Sequence, residues 1–541
     1  MNKIMKELEL VDSLVENRKI KIAQDKLKLI HKKYKLNRSE SLVLATLFRK
    51  VFMPERAIKI LHKYVYPSVK SPLIATDKEY AQYGQSLNQI NVLIEASVLF
   101  GKVNQDLYPN VYIYLAHNNI LRAKYKEAEK NIIKYVQHPK ATMEGKLIAE
   151  SFYPKIMIFF KNDYKGTETY LEKYINKIKK HNKTPIKNED FVDPKYIYIL
   201  NAYVFAMINQ YYLNNCEKAL EYLNLLFNEF PEINEIKNSL CFRINAWKLL
   251  VDLKQSAMSN GNNSLILSKI KTNKSKLIKS NDPISLVMIR LIEFEVAKIL
   301  NQNDKLIELY FSTRDKDILL QVYNELILRK LNIPEEYSIK IGKNFNSHIE
   351  INVQNGKNNI SKFTLKEGQV PQRLFEILAA DVNIPLRIAE LNDLLFDGEH
   401  YNPYTSPDRV HKAIKRLRRW FQQSKIPLDV IASNGMYSLV SATGCVFKVT
   451  RINRPGCKDI FTLSVDDFIV LQHLYNKMSS NEFVAMTLAN ELNVSKKTAS
   501  RILNRAIKCK LVLRLGKGPS VKYSFTDAFL NQITEGVKIA A

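Results

Sequence analysis

At 541 residues the chain is too long for one hydrophobic core and predicts roughly two to four domains. Its 46% hydrophobic and 25% charged residues exclude wholesale disorder. A formal net charge of +28, from 82 Lys+Arg against 54 Asp+Glu, points to a polyanionic partner: DNA, RNA or an anionic membrane surface. That excess is spread along the chain, +17 before Ile341 and +11 from there on, so only local acid-free windows can locate the partner.

The first residues, "MNKIMKELELVD", put acids where a signal peptide needs an apolar core. The longest nearly apolar stretch, Tyr196–Ile208, falls short of the ~20 residues that span a bilayer. The five cysteines are odd in number and form no CxxC pair, which suggests neither a disulfide framework nor a zinc site. A cytoplasmic protein without membrane contact, metal or cofactor is expected.

From Met1 to about Lys330, Gly and Pro are scarce and apolar residues recur at spacings of three and four, which predicts amphipathic helices. Ser41–Pro67, Tyr112–Pro139 and Tyr203–Pro231 share one plan: an apolar helix, a short polar turn, A-x-x-x-(L/I)-x-x-(Y/L), and a later Pro. The anchoring alanines are Ala57, Ala128 and Ala219, and Ala23 begins the same pattern 34 residues before Ala57. A small residue there lets two helices approach closely, and Pro ends the second. This plan resembles tetratricopeptide (TPR) repeats, against a generic α-solenoid as the plainer reading. The resemblance implies stacked hairpins over residues 1–335 with a concave groove for a protein or peptide, or for self-association. Tyr112, Tyr114 and Tyr125 are expected to pack rather than to form a binding stripe. Beyond Glu235 the repeat register is lost.

Past Pro334 the texture changes. His348–Val353 and Ser361–Leu365 alternate around an Asn-Gly turn, a hairpin signal. Helices follow at Pro371–Ala380, Arg387–Phe396 and "DRVHKAIKRLRRWF", with Ser406 as expected N-cap and Pro407 first in the helix. Leu428–Val440 then reads as two strands around "SNG". Val410, Ile414, Leu417 and Phe421 form one apolar stripe, and Arg409, Lys412, Lys415, Arg416 and Arg419 gather opposite. From Arg409 to Lys425 there are seven basic residues and no acid. A solvated face would carry acids as i±4 partners, so their absence favours a polyanion. Helix–helix–helix–hairpin is the order of a winged helix. Arg409, Arg416, Leu417, Arg418, Phe421 and Tyr437 also resemble the OmpR/PhoB-type DNA-binding pattern. The wing turn, Asn434-Gly435-Met436-Tyr437, departs from it by lacking both expected glycines, although Asn434 can adopt positive φ there.

The pattern repeats downstream. Phe461–Met478 predicts a first helix, and Glu482–Val512 a helix-turn-helix with its turn at Asn493-Val494 and Ser495 as N-cap. Ala499, Leu503 and Ala506 should be buried, while Lys497, Ser500, Arg501, Asn504, Arg505 and Lys508 should face outward. Leu511–Phe525 supplies a wing with a Gly-Lys-Gly-Pro tip. Leu492 to Thr526 holds nine basic residues and no acid. Leu488, Ala489, Leu492, Val494, Ser495, Thr498, Ser500 and Arg501 resemble the MarR-like winged-helix regulators.

The expected fold is therefore mainly α: a TPR-like α-solenoid (1–335), then two winged-helix (α+β) domains at 345–442 and 446–535. A recognition helix offers its N-terminal half to the major groove, which makes Arg409, Lys412, Ala413 and Arg416, and Lys497, Ser500, Arg501 and Asn504, the base-reading candidates. Arg419, Arg505, Lys508, Arg514 and Lys517 are the remaining basic candidates, most of them suited to phosphate. The expected function is a transcription regulator on double-stranded DNA, with RNA polymerase and a second copy of the chain as further partners. The rival is a cytoplasmic scaffold whose winged helices bind protein. RNA lacks a stacking motif in its favour. No Walker A, GxSxG or HExxH supports an enzyme, and His411 and His473 read as incidental.

Overall fold

The computed structural model describes residues 3–16, 19–67, 74–181, 194–230, 239–259, 261–280, 283–334, 336–341, 350–352, 369–382, 384–396, 399–433, 435–441, 445–450, 471, 475, 482–491, 495–508, 511–516 and 521–526. From Lys3 to Leu328 the described chain is helical. The helices are α1 (Lys3–Glu16), α2 (Ile20–Lys33), α3 (Arg38–Lys50), α4 (Pro54–Val65), α5 (Asp77–Gln89), α6 (Leu93–Phe100), α7 (Val111–Leu121), α8 (Tyr125–Gln137) and α9 (Met143–Ser151). They continue with α10 (Tyr153–Ile156, extended by a π-helical stretch Met157–Lys161), α11 (Tyr164–His181), α12 (Pro194–Tyr212), α13 (Cys216–Glu229), α14 (Ser239–Met258), α15 (Ser264–Lys279), α16 (Pro283–Ile299), α17 (Asn303–Ser312) and α18 (Lys316–Leu328). Consecutive helices pair as hairpins and each hairpin packs on the next, the arrangement of TPR-like repeats. The array runs on well past Glu235.

The reason is local. Ala23, Ala57, Ala128 and Ala219 are all fully buried where paired helices approach. The turns share one device: Phe52, Asn91, Ala123, Asn214 and Asn301 have φ between +53° and +66°. At each, the next amide donates five residues back: Met53 to Phe48 O (2.9 Å), Val92 to Leu87 O (3.0 Å), Lys124 to Asn119 O (2.7 Å), Asn215 to Gln210 O (2.9 Å) and Gln302 to Ala297 O (2.8 Å). This is the Schellman closure of a helix, with Asn in three of five cases replacing the scarce Gly. Capping boxes at Asn37/Glu40 and Thr76/Glu79 open α3 and α5. Tyr114 and Tyr125 are buried and Tyr112 is half-buried, so all three pack as expected.

After the repeats come β1 (Glu336–Ile341), β2 (Glu350–Asn352), α19 (Val370–Ala379), β3 (Leu386–Arg387), α20 (Ile388–Leu395), α21 (Ser406–Gln423), β4 (Leu428–Ser433), β5 (Met436–Ser441) and β6 (Cys445–Thr450). Helices α19–α21 pack on one another beside a sheet of order β3-β5-β4, in which Ser433 faces Met436 across a two-residue turn. Gly435 has φ +75°, while Asn434, which can adopt that conformation, lies outside the described residues. A second sheet has the order β1-β6-β2, with β2 parallel to β6. β6 thus starts at the boundary drawn from sequence between the two modules; its partner β1 precedes the first module, and β2 lies near that module's start. Strand pairing joins segments about 100 residues apart, which no local pattern shows. The expected partner of β2, Ser361–Leu365, lies outside the described residues.

One expectation is corrected. Ser406 is the first residue of α21 and Thr405 is its N-cap, with no side-chain cap bond. The Ser406 hydroxyl instead accepts from the Asn402 N–H at 3.0 Å, closing the preceding loop.

The last elements are β7 (Glu482–Phe483), α22 (Ala485–Glu491), α23 (Lys496–Lys508), β8 (Val512–Leu515) and β9 (Lys522–Phe525), with sheet order β7-β9-β8. Ser495 caps α23 by accepting the Thr498 N–H at 3.2 Å. Ala499, Leu503 and Ala506 are fully buried in a separate core with Leu488, Val512 and Phe525. Of Phe461–Met478, only Leu471 and Tyr475 are described, both helical. The turn Asn493-Val494 also lies outside the described residues.

The α19–α21 unit is seated on the repeats. On one side Arg290 of α16, 1% exposed, pairs with Asp381, its Nε 3.2 and 3.4 Å from the carboxylate oxygens. Its Nη2 donates to the Ser312 carbonyl at 3.2 Å, and the Arg314 N–H donates to Asp381 at 3.3 Å. Close by, the Asn91 amide donates to Glu390 of α20 at 3.0 Å. Phe311 of α17 enters the core of the unit and stacks on Tyr337, ring centres 5.4 Å apart.

On the other side, residues 399–404 lie against α4–α6. The Tyr401 N–H donates to Glu95 at 2.6 Å, and the Tyr401 side chain is buried in the repeat core. His400 stacks on Tyr66 at 4.4 Å, and the Tyr404 hydroxyl donates to the Lys59 carbonyl at 3.1 Å. Tyr66 in turn donates to Glu95 at 2.7 Å. Burial pushes the Glu95 carboxyl up to about 7 against these two donors, and burial followed by the His400 charge pushes His62 down to about 4.

Candidate nucleic-acid interface

α21 is amphipathic because its apolar positions recur at helical spacing. Val410, Ile414, Leu417 and Phe421 are buried against α19, α20 and β4, joined by Ala413 and Trp420. Ala413 therefore leaves the set of base-reading candidates: at 2% exposure it faces Leu and Phe side chains, not solvent. A methyl side chain gives no sign of which edge of a stripe it joins, and the observed stripe is wider than the four-residue periodicity implied.

Opposite, Lys412, Lys415, Arg416 and Arg419 are exposed, and none forms an ion pair within 4 Å among the described residues. Arg409, at the leading end of the same face, differs. Its guanidinium lies over the Phe396 ring at 3.8 Å and pairs with Glu399, with Nη2 to Oε1 at 3.2 Å. The Arg409 hydrogen bond holds the Glu399 carboxyl below its ordinary range. Arg418 points along the flank, where Nε donates to the Val430 carbonyl at 2.9 Å and meets Asp429 at 3.2 Å. It secures the hairpin rather than the outer face. His411 is a surface histidine that shares a 2.9 Å hydrogen bond with the Tyr437 hydroxyl and so links α21 to β5. Two polar residues 26 apart gave no sequence signal of that contact.

On α23, Arg501 and Asn504 are exposed and Ser500 is half-exposed, all on the side away from Ala499 and Leu503. The helix runs through Lys497, Arg505 and Lys508, whose side chains are outside the described set. Arg514 is exposed on β8, and Lys517 lies outside the described residues. The arrangement can offer an anion the row of cations on α21 and Arg501 on α23, each on a helix whose opposite face is fixed in a core.

No family model matches the chain, and none of the curated proteins matches it in sequence. Among the solved structures similar to it in part are two Rap proteins. The apo form of RapI has a TM-score of 0.33 and 14% identity, over 61% of this chain and 88% of that one. A Rap protein complexed with Competence and Sporulation Factor has a TM-score of 0.35 and 10% identity, over 79% and 99%. Superposition this loose assigns no family.

Proposed function

We propose that the chain is a DNA-binding transcription regulator, in which α19–α21 with β3–β5 and α22–α23 with β7–β9 act as two winged helices. The repeats serve as the region that binds a protein or peptide partner or a second copy of the chain. The observation that carries this reading is α21: Lys412, Lys415, Arg416 and Arg419 stand exposed with no acidic partner within 4 Å among the described residues, while Val410, Ala413, Ile414, Leu417, Trp420 and Phe421 of the same helix are buried. Solvation alone would be served by interleaved acids. No described helix is long and apolar enough to cross a membrane, and we place the protein in the cytoplasm, where RNA polymerase is a further partner. The role calls for no catalysis, cofactor or metal.

The test is binding of the full chain to duplex DNA as salt is raised. Binding should fall steeply with salt. Arg416→Ala or Arg501→Ala should each cost about 1–3 kcal/mol if the side chain reads a base, and lower the salt slope by about 0.9 if it meets a phosphate. A folded chain that binds no duplex at any salt would favour the protein-interaction scaffold. That second reading draws on the unit's own seating, since α20 and residues 399–404 already pack against the repeats of the same chain.

A further inference from the structure

The surface of α4–α6 that receives residues 399–404 is joined by one residue to the basic face of α21. Its elements are complementary to an extended peptide: the Glu95 carboxylate takes a main-chain N–H, the Tyr66 ring takes a flat side chain, and the Lys59 carbonyl takes a phenol. Tyr401 is buried there, whereas His400 and Glu399 on its N-terminal side stay exposed. Glu399 is thereby held one residue from the His400–Tyr66 stack and against Arg409. Arg409 leads the row of cations, in the half of a recognition helix that enters a groove. It is the one member of that row paired with an acid among the described residues.

We infer that this seat on the repeats is an autoinhibitory contact that controls Arg409. With 399–404 seated, Glu399 neutralises Arg409. A partner that takes the seat, an extended peptide with adjacent flat and phenolic side chains, releases both. Lys412, Lys415, Arg416 and Arg419 are exposed in the seated state, so the contact tunes affinity rather than abolishing it. The inference rests on the DNA-binding reading for its output and on the seat geometry for its switch.

The experiment measures binding of the full chain to a mixed-sequence duplex over a salt series. Glu399→Gln, a change at an exposed position, should raise affinity roughly three- to tenfold at low salt and steepen the log–log slope by about 0.9. His400→Ala, which removes the stack on Tyr66 and leaves Glu399 in place, should act in the same direction. The gain should vanish in the Glu399→Gln/Arg409→Ala double variant. A gain that persists there is a net-charge effect and overturns the inference. So does wild-type behaviour of both single variants while Arg416→Ala weakens binding, an outcome that leaves the DNA-binding reading intact. Failure of every chain to bind duplex removes both.

Discussion

Arg290 and Asp381 are 91 residues apart in sequence and each almost without solvent. A buried charge whose partner is removed is far costlier than the pair was worth, since its desolvation is no longer offset. Asp381→Ala leaves Arg290 with Glu293 and the Ser312 carbonyl, so a loss of about 3 kcal/mol is expected, measured as a shift in the urea midpoint. A shift near that of an exposed pair, below about 1 kcal/mol, would contradict the buried seating. Nothing in the sequence singled out these two residues among 136 charged ones, because charge burial is a property of the packed site. Arg416 and Arg501, by contrast, were legible: an exposed position on an amphipathic helix follows from periodicity alone.

Among elements, the hairpin turns show how much was local. Alanines four residues before an apolar pair marked the close approaches, and all four are buried. The left-handed residue that ends each first helix was not read from the sequence, although Asn at 91, 214 and 301 was its signal. Ala123 holds φ +57° without the compensation that Asn or Gly brings. Ala123→Gly should therefore stabilise the chain by about 0.5–1 kcal/mol, the relief of left-handed strain less the extra entropy of unfolded Gly. Loss of stability on that change would mean that the Ala123 methyl packs more than it strains. α21 was legible in its faces and in the flank position of Arg418, but not in the burial of Ala413, the pairing of Arg409 or the strand that Arg418 meets. Each depends on a neighbour supplied from elsewhere in the chain.

At the scale of the molecule, the seat between α4–α6 and residues 399–404 places two titrating groups of opposite sense side by side. The folded His62 pKa is depressed to about 4 from an ordinary 6.5, so its contribution is full above 6.5 and lost as pH falls through 4. The folded Glu95 pKa is raised to about 7 from 4.5, so its contribution is full below 4.5 and lost as pH rises through 7. The two slopes oppose each other between those limits. Glu95→Gln keeps an acceptor for the Tyr401 N–H and removes the second slope. Relative to wild type, its Tm should improve between pH 5 and pH 8; a difference independent of pH would rule out the buried, ionising Glu95.

Sequence periodicity by itself determined the helical repeats, the two basic amphipathic helices and the hairpin after each, because every one is set by residues within a turn or two of one another. It placed the cations on one face and the core on the other. Only the tertiary structure decided that β1 and β2 share a sheet with β6, that Arg290 meets Asp381, and that Glu399 covers Arg409 while its loop rests on Tyr66 and Glu95. Those contacts reach across 10 residues between Glu399 and Arg409 and across 306 between Glu95 and Tyr401. Their chemistry comes from desolvation and stacking that exist only once the repeats and the unit are packed together.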